Sequence, residues 1–417
     1  MSIQDYERPF SRNRAIKSEM LRLRFAAYIL PALLLAQPAR EPEARKLLVI
    51  CVAGLDARFL AQPPSRLKIP NIRKLIREGA VAAGVTGVAP SDTAESEMSL
   101  VTGAIPAEQA PTLWQAVTKV GLKAATVSWP GSAGAGIALD LPPGSENASS
   151  HTVDFESVAG KASPSGIVDV IEKAYPGFEK EFWDDASAAR AAVWIMENRK
   201  ADVILVSLGE VDSLQRETAA LGLYARQALE NDDDLIGQML VAAGPGYIVA
   251  LVSGHGFENE NYIVRPRVLL KQAHIEGSVD VQDGLIGARD SKVAARLRNL
   301  MNDGHRHGLA REVPMAEVKA KAPALSNWVA AFDTPANYVA SSEDHGAAIG
   351  PGTHHGVSGL WPDRSGYRSV FVIAGAGVHQ RKLGEIDLLQ IAPTLADAIG
   401  VRLSQARASS LWPSISR

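Results

Sequence analysis

Five short, nearly unbroken apolar runs limit what this chain can fold into. They cover residues 47–52, 124–128, 203–207, 248–253 and 369–373. Runs of this length and continuity suit strands buried on both faces, as in a parallel sheet covered by helices. Amphipathic stretches lie between them, at 69–78, 112–120, 186–198, 218–243, 290–302 and 388–399. The alternation predicts an α/β protein, a multilayer α/β/α sandwich. Residues 258–352 are more polar and less regular in pattern, which suits a smaller inserted cap. No internal repeat or low-complexity tract interrupts the scheme.

Composition removes some classes of function. The 417 residues are 46% hydrophobic and 21% charged, an ordinary globular balance. A formal net charge of -3 gives no basic footprint, so no nucleic-acid partner is expected. Cys51 is the one cysteine, which rules out an intramolecular disulfide. Near the N-terminus, Arg22 and Arg24 precede an apolar stretch at 25–36 and then Gln37-Pro38-Ala39. That stretch is too short to span a bilayer as a helix and fits the basic and apolar parts of a secretory signal. Residues 1–40 are therefore expected to form a signal or loose anchor with its link, and 41–417 the folded domain. The expected location is periplasmic or secreted, with membrane contact only through the N-terminal segment. A start at Met20 would give a compact signal. The other reading is a short helix packed on the domain or resting on a membrane surface.

In open parallel sheets, ligands gather at the C-terminal ends of the strands. Ala53-Gly54, Gly209-Glu210-Val211-Asp212 and Gly254-His255-Gly256 each follow an apolar run closely. These three loops are expected to converge on one edge and form the site.

Several segments, in order, resemble the type I phosphodiesterase/nucleotide pyrophosphatase family of the alkaline phosphatase superfamily. Leu48-Val49-Ile50-Cys51-Val52-Ala53-Gly54 is similar to its first strand, which normally ends in Asp-Gly. Ile69-Pro70-Asn71 with Glu78-Gly79 is similar to the helix that follows, and Pro90-Ser91-Asp92-Thr93 with Leu100-Val101-Thr102-Gly103 to the nucleophile segment. Ser128-Trp129-Pro130-Gly131-Ser132, Glu210-Val211-Asp212, Ser253-Gly254-His255-Gly256, Gly352-Thr353-His354-His355-Gly356 and Ala392-Pro393-Thr394-Leu395 continue the pattern. Each motif alone is weak, but so many in sequence order, from about Leu47 to Leu403, carry the resemblance.

The resemblance implies a chemistry. Family members are typically hydrolases of phosphate diesters or nucleotide pyrophosphates, with two zinc ions clamping the attacking and leaving oxygens. A Thr or Ser hydroxyl forms a covalent phosphoryl intermediate beside a helix N-terminus whose free N–H groups face the phosphate. Thr93 falls at that nucleophile position, ahead of a helical stretch at 94–100, where a threonine also serves as a plain N-cap. For the first metal, the family's ligand positions read Ala53, Thr93, Gly254 and His255, so both carboxylates are missing. For the second they read Asp212, Arg216 and His355, so a permanent cation replaces one ligand. A phosphate-donating Asn reads Ser96, and the His after it reads Glu97.

Zinc sites normally take at least three protein ligands, so the expected cofactor is none or a single weak divalent metal. Crowded carboxylates without a metal repel each other, and removing two of them while offering Arg216 to Asp212 balances the site. Four residues apart, Asp212 and Arg216 are expected to meet on a helical turn. Asp92, Glu95, Glu97 and Glu210 leave an oxygen-rich Mg²⁺ or Ca²⁺ site open. Asp344-His345-Gly346 follows no apolar run and reads as a loop coincidence. His305 and His307 read as a helix end, and Trp129 either packs or touches substrate. Three functions fit: a catalytically degenerate member that binds a phosphate ester, a nucleotide or a protein partner in the old cleft; a divergent hydrolase using Thr93 with one metal or none; an interaction subunit with no ligand.

Overall fold

The computed structural model describes residues 46–416 apart from 64, 146–151, 181 and 304. The signal or anchor expected at 1–40 lies outside the described residues. Eight strands form the main sheet: β1 (Lys46–Val52), β2 (Ala80–Thr86), β3 (Ala124–Val127), β4 (Leu139–Leu141), β5 (Val203–Leu208), β6 (Tyr247–Val252), β7 (Phe371–Gly375) and β8 (Arg381–Asp387). Their order across the sheet is β8-β2-β7-β6-β1-β5-β3-β4. The helices that matter here are α1 (Pro70–Glu78), α2 (Thr93–Thr102), α3 (Leu113–Lys119), α4 (Asp185–Glu197), α5 (Glu210–Glu217), α6 (Leu223–Ala243) and α7 (Ile391–Ala398).

β1 explains the layering. Leu48 pairs with Ile204 of β5 on one side and Val249 of β6 on the other, both in parallel register. Side chains along a strand alternate between faces. Leu48, Ile50 and Val52 therefore enter one apolar cluster, closed by α1, α4 and α6. Leu47, Val49 and Cys51 enter a second, closed by α2, α3 and α7. A sheet apolar on both faces has to be covered twice, which makes three layers.

The sheet is mixed, because β7 runs antiparallel to both β6 and β2. β2 and β8 have no apolar run to announce them. β2 is built of small residues, and β8 is a mostly exposed edge carrying Arg381, Lys382 and Glu385. Charges on an edge strand discourage pairing with other chains. The helix expected at 218–243 begins only at Leu223, because α5 ends at Glu217 and Leu221 takes a left-handed φ of 57° in the turn between the two helices. Residues 258–352 carry two small sheets and an apolar cluster of their own that includes Val264, Leu270 and Phe332. A ribbon of Glu258–Asn259 against Gly356–Val357 closes the base of this excursion.

Because β1, β5 and β6 are mutually parallel, Val52, Leu208 and Val252 end at one edge. Gly54 turns the chain there with φ 69°, and an added Cβ would lie 2.6 Å from the Phe257 ring. Only glycine fits that turn.

Candidate functional site

α2 starts at this edge. Its N-cap is Asp92, whose carboxylate accepts from Glu95 N at 3.3 Å. Thr93 is thus the first helical residue rather than the cap, and its hydroxyl is free to face the edge. Two acceptors lie within reach of Thr93 Oγ1: His255 Nε2 at 3.2 Å and Asp212 Oδ1 at 3.3 Å. His255 Nδ1 sits 3.1 Å from the Gly256 carbonyl, which only accepts, so Nδ1 carries the proton. Burial holds the His255 pKa below its ordinary value against the opposing pull of the Asp212 carboxylate. The ring is therefore neutral near pH 7 and turns its Nε2 lone pair toward Thr93.

Arg216 completes the group. Its Nε donates to Asp212 Oδ2 at 2.7 Å, one helical turn away on α5, and its Nη2 donates to Thr93 Oγ1 at 3.1 Å and Ser358 Oγ at 2.6 Å. The guanidinium also lies 5.4 Å from the centre of the Phe257 ring. Asp212 and His255 are buried, while the Arg216 side chain stays 41% exposed and accessible to a ligand.

Residues 47–110 and 107–356 match the family model of type I phosphodiesterase/nucleotide pyrophosphatase. The chain belongs to that family. No curated protein matches it by sequence. Among solved structures, human ectonucleotide pyrophosphatase/phosphodiesterase 5 superposes with a TM-score of 0.61 at 13% identity, over 89% of this chain and 100% of that one. The murine protein gives 0.59 at 14%, over 88% and 98%. An inactive variant of the murine protein in complex with AMP gives 0.59 at 13%, over 89% and 100%. At these identities the likeness establishes the alkaline phosphatase-like fold.

The family's two zinc ions do not fit the donors present. The first position offers His255 and the Thr93 hydroxyl, with Ala53 buried at the end of β1 and Gly254 buried beside α2. A Cβ added at Gly254 would stand 2.4 Å from Ser96 Cβ, so the Ser96 side chain on α2 occupies the space a carboxylate would need there. At the second position Arg216 already holds Asp212. Among the described residues, no group of three His, Cys, Asp or Glu is arranged to hold a metal.

Several expected residues make no bond to this group. His355 is exposed and has no hydrogen bond to the group; Ser358, three residues on, reaches Arg216 instead. Ser96 is fully buried with its hydroxyl unpartnered, so it cannot serve as a donor to a ligand in the cleft. Trp129 packs, fully buried. His345 and His307 each pair with a neighbouring aspartate, at Asp344 and Asp303. Sequence reasoning had no signal for Ser358 or Phe257, whose contacts with Arg216 arise from the fold.

Glu97 has become a buried acid. It accepts from Ser207 Oγ at 3.0 Å, its second oxygen has no partner, and burial pushes its pKa up to about 8. A carboxyl with a raised folded pKa keeps its proton only in the folded chain. Native stability therefore falls as pH rises from the unfolded value near 4.5 toward about 8. Glu97→Gln should remove that slope, roughly 1.4 kcal/mol per pH unit. Urea unfolding at about pH 5 and about pH 8 tests this; parallel wild-type and variant curves would refute it.

Proposed function

We propose that this protein binds a phosphate ester or nucleotide through Arg216 and has lost the two-metal hydrolysis of its family. The observation that carries the reading is the Arg216 guanidinium held among Asp212, Thr93 and Ser358, where the family places a metal-binding histidine. A cation fixed beside a helix N-terminus recognises a phosphate oxygen without an ion. The rim is also less acidic than its composition suggests. Glu95 is pushed up to about 7, first by its hydrogen bond with Asp92 and then by burial, and burial raises Asp283. The AMP complex of the murine relative supports a nucleotide as ligand class. Export remains our reading of the pattern at 22–39.

Metal analysis and calorimetry with AMP test the proposal. Purified protein should carry sub-stoichiometric zinc and bind AMP, and Arg216→Ala should weaken binding roughly tenfold to a hundredfold, the range of a charged hydrogen bond. Two zinc ions per chain, with metal-dependent hydrolysis abolished by Thr93→Ala, would overturn it. One observation favours a second reading, a hydrolase that needs no metal: neutral His255 is poised to accept the Thr93 proton. Release of nitrophenol from bis(4-nitrophenyl) phosphate that survives chelation and is lost in Thr93→Ala and His255→Ala would support that reading instead.

A further inference from the structure

Both Asp212 and Arg216 ride on α5, a helix of two turns whose own N-cap, Gly209, has no side chain to cap it. The first N–H groups of a helix have no partner within it. Here the partner comes from another helix. Asp185, at the start of α4, accepts from Gly209 N at 2.7 Å with one oxygen and from Glu210 N at 2.8 Å with the other. A carboxylate in this place also meets the favourable end of the helix dipole.

Beside it lies a group that the site does not use. Asp232, in the middle of α6, is fully buried, and neither of its oxygens meets a donor. A buried carboxylate without donors takes up a proton rather than stay charged. The groups that face this pair are Glu210 of α5, Asp184 at the α4 N-terminus with Lys180 before it, and Glu97 of α2. All but Lys180 are acids, and Lys180 is already paired with Asp184 at 2.7 Å, so among these described residues no free cation stands ready to balance a second charge. Burial and then the charge of Glu210 raise Asp185 to about 7, and burial and then the charge of Asp185 raise Asp232 well above its ordinary value.

We propose that Asp185 and Asp232 are positioning residues that hold one proton between them, leaving Asp185 free to cap α5 and so to orient Asp212 and Arg216. When that proton leaves, two adjacent charges push α4 and α6 apart and the first turn of α5 loosens. Anion affinity at Arg216 then falls. This consequence rests on the phosphate-binding reading of Arg216; the capping does not.

The test has two arms that fail separately. The first is solvent exchange of the Gly209 and Glu210 amides, expressed as protection factors. Wild type should lose protection as pH rises above about 7, the value to which Asp185 is raised, a window in which His255 stays neutral. Asp232→Asn, neutral at every pH, should keep it. Asp185→Asn sets an amide against one of the two N–H groups and should lose about tenfold in protection throughout, the scale of one lost hydrogen bond. The second arm is binding of bis(4-nitrophenyl) phosphate, a diester whose charge is constant over this range. Wild-type affinity should fall about tenfold across the window and that of Asp232→Asn about twofold or less, because the coupled proton is gone. Glu95 and Glu97 titrate in both proteins, so the difference between them belongs to the pair. Identical profiles for wild type and Asp232→Asn, or full amide protection in Asp185→Asn, would overturn the inference. If the diester binds at no pH, the reading of Arg216 fails and the amides alone decide about the pair.

Discussion

Arg364→Ala should cost the folded protein about 3–5 kcal/mol, the range for removing one partner from a buried charge network. Arg364 is 4% exposed, and its guanidinium donates to the Thr334 carbonyl at 2.9 Å, the Thr334 hydroxyl at 3.0 Å and the Pro335 carbonyl at 2.7 Å. It also lies 3.5 Å from Asp333 and 3.6 Å from Glu258. Truncation leaves two buried carboxylates short of their shared cation. Burial already raises Asp333, with Arg364 the first of the charges holding it down. The variant's Asp333 should therefore titrate higher still, and the stability deficit should shrink as pH falls and that carboxyl takes up its proton. Arg407→Ala is the control. Arg407 pairs with Glu108 at 2.6 Å, but both side chains are more than a third exposed, so the loss should stay under about 1 kcal/mol. Equal losses for the two variants, measured by urea unfolding, would show that Arg364 is no anchor.

That network shows what the sequence could and could not convey. The core strands were legible because burial on both faces leaves an unbroken apolar run, as in β1, β5 and β6. β2 and β8 were not, since a strand of small residues and a charged edge strand leave no such trace. Arg364 reads as one more surface charge until the excursion at 258–352 folds back over it.

The site divides along the same line. The contact between Asp212 and Arg216 follows from their spacing of four on a helix, and helical geometry is local. Ser358 meets Arg216 across 142 positions, and Asp185 caps Gly209 across 24, separations at which no local pattern operates. His355 illustrates the opposite case. A histidine before a glycine fits the family's order of motifs, but where its side chain points depends on the loop between Ile349–Pro351 and Gly356–Val357.

A change of Ala53→Asp with Gly254→Asp should fail to restore zinc, and adding Ser96→Gly should make it succeed. The two replaced positions are those of the family's missing carboxylates, so the pair of changes alone supplies the right ligand chemistry: two carboxylates with His255 reach the three protein ligands that zinc requires. Geometry prevents it. The new Cβ at position 254 would lie 2.4 Å from Ser96 Cβ, closer than such atoms approach, and α2 packs too firmly through Leu100 and Val101 to yield. Removing the serine side chain leaves Ser96 C at 3.4 Å and Cα at 3.5 Å, ordinary contact distances. A glycine inside a helix costs about 1 kcal/mol, while zinc at a hundred times its dissociation constant returns about 2.7 kcal/mol to the native state. The triple variant should therefore melt higher with zinc than after chelation, and the double variant should show no difference. Zinc uptake by the double variant would remove Ser96 as the obstacle. Failure of the triple variant, if it folds, would mean that positions 53 and 254 do not face the first metal's place at all.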